Sequence, residues 1–135
     1  MQRQPKKTKY NKYFKPRYFA KSWSKMKELK PYSVFSLVAF ESFFLNYRQL
    51  EAARQIIKRT TKRKGKLEIC VLPDLGISNK STSARMGKGK GKIKQWVASI
   101  PAGKVIFRLI GVSAFEAIPA LKKGANKLPL KVKIY

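Results

Sequence analysis

The sequence predicts an α+β fold, with two helices packed on a mostly antiparallel sheet. Two observations carry that prediction. Short apolar runs recur on both sides of one strongly capped amphipathic helix, and turn residues separate them. A third observation sets the scale: a chain of 135 residues with 44% hydrophobic side chains can form one real core, burying roughly two-thirds of its unfolded surface.

Residues 1–30 read as a basic arm and residues 31–135 as a single folded domain. In the arm, Lys and Arg alternate with Tyr10, Tyr13, Phe14, Tyr18, Phe19 and Trp23. This interleaving lets cations meet phosphates while rings stack on bases; the same rings can instead anchor the arm to its own body. Val34 to Phe40 is rich in β-branched and aromatic residues and reads as a buried strand. A helix then starts at Asn46, a good N-cap. Gln49 stands at the capping-box position, and Leu45 and Leu50 occupy the hydrophobic-staple positions. Leu50, Ala53, Ile56, Ile57 and Thr60 share one face, with Arg48, Glu51, Gln55, Lys58, Arg59 and Lys62 mostly on the other. Basic residues in the last turns complement the helix dipole, and Gly65 offers a left-handed cap.

Lys66 to Leu72 alternates as a strand, ended by a turn at Pro73-Asp74, and Gly76 to Ala84 reads as a polar loop. Trp96 to Ile100 and Val105 to Ile110 are strands joined by the turn Pro101 to Lys104, which suggests a hairpin. Ser113 and Glu116 have capping-box spacing for a second helix running towards Lys127. Pro119 inside it predicts a kink or a start delayed to about Ile118. Leu130, Val132 and Ile134 alternate with lysines as a last strand.

The feature with most functional content is the run Arg85-Met86-Gly87-Lys88-Gly89-Lys90-Gly91-Lys92 between folded segments. Alternate glycines keep the backbone thin, and the lysines present cations at close spacing. Neither the Walker spacing nor the dinucleotide Gly-x-Gly-x-x-Gly spacing is present, so mononucleotide binding is disfavoured. A cationic finger entering nucleic acid and a solvated loop both fit the segment taken alone.

The whole chain favours the polyanion. Lys and Arg number 32 against 6 acids, a formal charge of +26 with a pI near 10.6, and self-repulsion on that scale is relieved by a polyanionic partner. From Lys58 to Lys66, six of nine residues are basic, more than capping needs. There is no histidine, the acids Glu28, Glu41, Glu51, Glu68, Asp74 and Glu116 are scattered, and no serine has a recognisable base. The sequence therefore predicts no enzyme, no metal and no cofactor. The lone Cys70 excludes an internal disulfide framework. The longest apolar stretch, Val34 to Leu45, has 12 residues and contains Glu41, short of the roughly 20 a spanning helix needs, so no membrane partner is expected.

Several ordered motifs resemble one family. Arg48-Gln49-Leu50-Glu51-Ala52-Ala53-Arg54, Lys62-Arg63-Lys64-Gly65-Lys66, Val71-Leu72-Pro73-Asp74, Arg85 to Gly91, Trp96-Val97-Ala98, Pro101-Ala102-Gly103-Lys104-Val105 and Lys127-Leu128-Pro129-Leu130-Lys131 look like large ribosomal subunit protein sixteen. Pro5-Lys6-Lys7-Thr8-Lys9-Tyr10 is similar to that family's opening motif. The resemblance implies an α+β domain bound to large-subunit ribosomal RNA near the aminoacyl-tRNA site and the peptidyl transferase centre, beside neighbouring ribosomal proteins. It also implies a loop pointing at the tRNA, and RNA rather than protein as the catalyst. With the charge pattern it marks Lys6, Lys7, Lys9, Tyr10, Lys12, Arg17, Arg54, Lys62, Arg63, Lys64, Arg85, Met86, Gly87, Lys88, Gly89, Lys90, Gly91 and Lys92 as candidate rRNA- and tRNA-binding residues.

The stretch Val34 to Phe44 is apolar where bacterial members of that family are glycine-rich and basic, which suggests a protein neighbour there. Met1 lies just ahead of the opening motif, and Lys, Phe, Tyr and Ile are abundant. Together these point to an organelle-encoded mitochondrial protein, with a plastid or bacterial cytoplasm as the alternative. An extraribosomal RNA-binding protein and a membrane-surface protein are the competing classes; Pro5, Pro16 and Pro31 disfavour the amphipathic arm helix the latter needs.

Overall fold

A computed structural model describes residues 5, 7–10, 12, 14–16, 34–87 and 89–135. The elements run β1 Val34–Ala39, β2 Phe43–Asn46, α1 Tyr47–Thr60, β3 Lys66–Ile69, β4 Leu75–Asn79, β5 Lys92–Ile100, β6 Val105–Ile110, α2 Ala114–Ala125 and β7 Val132–Ile134. The α+β class holds, with antiparallel pairing throughout, but the strands form two sheets. One is ordered β3-β6-β1-β7 and the other β2-β5-β4.

Helix α1 starts as its local sequence dictates. The Asn46 side chain accepts from the Arg48 N–H at 3.3 Å, and the Gln49 Oε1 accepts from the Asn46 N–H at 3.0 Å, closing the capping box. Leu50, Ala53 and Ile57 are fully buried on its inner face, as the periodicity predicts. The other end differs. The helix stops at Thr60, and the first left-handed residues are Lys62 and Arg63 rather than Gly65. The Lys62 N–H donates to Arg59 O at 3.1 Å and the Arg63 N–H to Lys58 O at 3.0 Å. That is the paired bonding of a Schellman motif, made without glycine at its left-handed position. A side chain in that region costs about 1 kcal/mol or more per residue.

Helix α2 begins at Ala114 and runs straight past Pro119 in sequence, so the start is not delayed. Pro119 is exposed, where water can replace the helical donor it lacks. Nor is the expected capping box formed: Ser113 makes no side-chain cap bond, and Glu116 reaches Lys64 instead. The two helices pack together, with Gly124 so close to Ile57 that an added Cβ would lie 2.5 Å from the Ile57 Cγ1.

Two further expectations fail. The polar run from Gly76 to Ala84 is not all loop: its first four residues belong to β4, whose Leu75 and Gly76 are buried. Strands β5 and β6 also do not pair with each other; the turn at Pro101 to Lys104 carries the chain from one sheet to the other. The apolar stretch Val34 to Phe44 largely feeds the core: Leu37, Val38 and Ala39 are buried, and only Phe40 and Phe43 show sizeable apolar surface. The fully buried Leu37, Leu45, Leu50, Ile100, Ile106 and Phe107 join both sheets and α1 in one cluster. Cys70 continues β3, donating its N–H to Ile106 O, and burial pushes its thiol above the ordinary range. Among the described residues no helix is long and apolar enough to cross a membrane.

Candidate nucleic-acid interface

Strands β4 and β5 pair antiparallel, with Asn79 opposite Lys92, so the glycine-lysine run is the far limb of a hairpin loop. The loop is tied to itself and to the arm. The Lys80 ammonium donates to Gly87 O, and the Lys12 ammonium donates to Lys90 O at 3.0 Å. The Lys90 ammonium in turn lies 5.1 Å from the centre of the Phe14 ring, within cation–π range. Arm and finger therefore form one surface, around a concavity of about 640 Å³ lined by Asn79, Lys80, Ser81, Ala84, Arg85, Gly87, Gly89, Lys90, Gly91 and Lys92.

The glycines divide by physical role. Gly87 and Gly89 have φ of 90° and 76° with open space where a Cβ would stand, so backbone conformation selects them. At Gly91 crowding decides: a Cβ there would land on the Asn79 carbonyl oxygen and lie 3.0 Å from the Lys80 N. Gly91 lets the two limbs of the hairpin close.

The other candidates sit apart. Arg54 is not a free cation: its Nε and Nη2 donate to Glu51 at 3.0 and 2.6 Å. Lys64 pairs with Glu116 at 2.9 Å. Lys62 and Arg63 are exposed on the left-handed turn and make no ion pair among the described residues. Lys62, Arg63 and Lys64 follow, and Arg54 sits within, a helix of 14 residues, about 21 Å long, whose N-terminus is fastened to β5 by the Asn46 amide donating to Gln95 at 3.0 Å. The candidates that read as one basic set along the chain thus fall on two surfaces. Lys7 and Lys9 are exposed, with the Lys9 ammonium 5.6 Å from the Tyr10 ring, and Met86 is 99% exposed. Lys6, Arg17 and Lys88 lie outside the described residues.

Sequence reasoning missed Lys80, placed in a supposed loop, whose only signal was its distance ahead of the finger. It also left out Arg48, Tyr47 and Trp96, which with Lys94 line a concavity of about 270 Å³ at the start of α1.

Four of the acids among the described residues are spent internally. Glu51, Glu68 and Glu116 form ion pairs, and Glu41 accepts the Lys131 N–H at 2.7 Å. The hydrogen-bonded Arg54 guanidinium holds the Glu51 carboxyl below its usual 4.5, against an opposing push from burial. Because the folded value is depressed, the stabilisation is present above pH 4.5 and is lost as pH falls through that lower value. Glu51→Gln is expected to cost about 0.5 kcal/mol at neutral pH. Melting curves of the two proteins should converge in acid, and a gap that persists well below pH 4.5 refutes the linkage.

Fold and charge together define a polycationic α+β protein. Residues 5–135 match the family described as ribosomal protein L16p/L10e. The chain belongs to that family, whose members are structural constituents of the large ribosomal subunit. It is similar to "Large ribosomal subunit protein uL16" of Erythrobacter litoralis (strain HTCC2594), at 42% identity over 131 residues, covering 97% of this chain and 90% of that protein.

Proposed function

We propose that this protein binds large-subunit ribosomal RNA through the joined arm and finger and supports the aminoacyl-tRNA site with the tip of the finger. The observation that carries the reading is the Lys12–Lys90–Phe14 contact, which sets arm and finger side by side as one cationic, aromatic surface. Cations on such a surface meet phosphates, and exposed rings such as Tyr10 and Phe14 meet bases. Lys62 and Arg63 contribute a second phosphate contact, whereas Arg54 serves mainly to fix Glu51. Residues 1–30 serve as an RNA-binding arm and residues 31–135 as a single RNA-binding domain, the two meeting at the finger. A mitochondrial address belongs to the same proposal and is supported by features of the sequence, among them its abundance of Lys, Phe, Tyr and Ile, with a bacterial or plastid ribosome as the alternative.

The test replaces Arg85 and Lys90 by glutamine and measures tRNA occupancy of purified ribosomes. Aminoacyl-site occupancy should fall while peptidyl-site occupancy holds. Equal occupancy of both sites by variant and parent ribosomes refutes the tRNA role, and unchanged protection of ribosomal RNA by the variant refutes the RNA contact.

A further inference from the structure

One aromatic side chain has no part in the core or in either surface above. Phe115, in the first turn of α2, is 90% exposed, and Ile118 one turn later is 38% exposed. Its surroundings are set by two contacts. The Lys64 ammonium is 2.9 Å from the carboxylate of the adjacent Glu116. Gly65 is pressed against the segment leading into α2, where an added Cβ would meet the Val112 Cγ2 and lie 2.5 Å from Ile110 O. Both hold the turn that follows α1 against the start of α2. That turn presents Lys62 and Arg63, exposed and left-handed at φ of 49° and 66°. The Schellman bonds that end α1 and the docking of the turn together hold both residues in that conformation.

We infer that Phe115 is a stacking platform for an unpaired nucleobase of RNA, with Lys62 and Arg63 holding the phosphates beside it. The inference rests on the RNA-binding reading and adds to it a site on the opposite end of α1 from its N-terminal fastening to β5. The ligand chemistry follows from the pair of features. A bare ring offers a face to any base, and two cations on the turn docked against the same helix start offer charge to the backbone that runs past it. Glu116, the acid nearest the ring in sequence, is neutralised by Lys64, so it does not repel the phosphates. Paired RNA hides its base faces within the stack and gains nothing from the ring, so the site selects a single-stranded or extruded nucleotide.

The experiment uses the full chain with two probes, a labelled oligouridylate and a fully paired RNA duplex of equal length. Phe115→Ala should weaken oligouridylate binding by about 5- to 150-fold, the range for losing one stacked base. Duplex binding and the melting temperature should stay unchanged, and Phe115→Trp should restore the single-strand affinity. Unchanged oligouridylate affinity, or an equal loss on both RNAs, overturns the stacking site. So does a variant with normal RNA affinity whose large subunits lack a neighbouring protein, because Phe115 then docks protein. Failure of the parent protein to bind either RNA instead sinks the RNA-binding reading itself.

Discussion

Gly91→Ala should destabilise the protein more than Gly87→Ala or Gly89→Ala, although the three glycines look equivalent in sequence. The added methyl meets backbone atoms of Asn79, the last paired residue of β4, and of Lys80 just after it, and backbone atoms cannot rotate away. Overpacking against such a wall costs about 3 kcal/mol, the upper part of the usual range, which for a domain of this size lowers the melting temperature by about 10 °C. At Gly87 and Gly89 the methyl enters open space, so only the left-handed backbone is penalised, at about 1 kcal/mol each. Thermal melts of the three variants check the order. A Gly91→Ala protein as stable as the Gly89→Ala protein contradicts the close approach.

The second large effect is electrostatic. Changing Arg85, Lys90 and Lys92 to glutamine should lower RNA affinity about a hundredfold at 0.1 M salt and flatten the log-log salt dependence by about 2 to 3, if each neutralises one phosphate. The fold should survive, since all three side chains are exposed. Filter binding across a salt series measures both quantities. An unchanged slope means that the finger does not touch phosphate and that the charge acts elsewhere. The Lys12 contact makes the prediction sharper, because its donation to the Lys90 carbonyl persists when the Lys90 side chain is changed.

Features set by neighbouring residues were legible in the sequence, and features set by distant ones were not. The α1 capping box and staple involve residues within one turn, and they form as the sequence predicts. The apolar, β-branched run at β1 and the alternating runs at β3 and β7 are likewise strands, as their local composition and period predict. Strand β4 escaped notice because Leu75-Gly76-Ile77-Ser78-Asn79 is short and contains a glycine; its strand state is conferred by β5. The β5–β6 hairpin is what adjacency and a turn suggest, but β5 instead pairs with β2 and with β4 on its other side, and β6 pairs with β1 and β3. At the end of α1 a lysine does what glycine usually does, a substitution that composition cannot reveal. In the candidate site, charge and glycine spacing identified the finger. Its contact with the arm spans 78 residues of sequence and required the fold.

The position of β1 between β6 and β7 bears on how the chain is made as well as how it stands. Val34 pairs with Ile110 and Leu37 with Ile134, so the first strand to leave a translating ribosome waits for nearly the last residues before it is enclosed. During that interval Leu37, Val38 and Ala39 are bare, and no N-terminal portion of the four-stranded sheet can close by itself. Topologies of this kind fold late and are exposed to aggregation while incomplete. Nascent chains arrested before β6 should therefore be protease-sensitive at β1 and β3, and protection of β1 should appear only once β6 and β7 have been released.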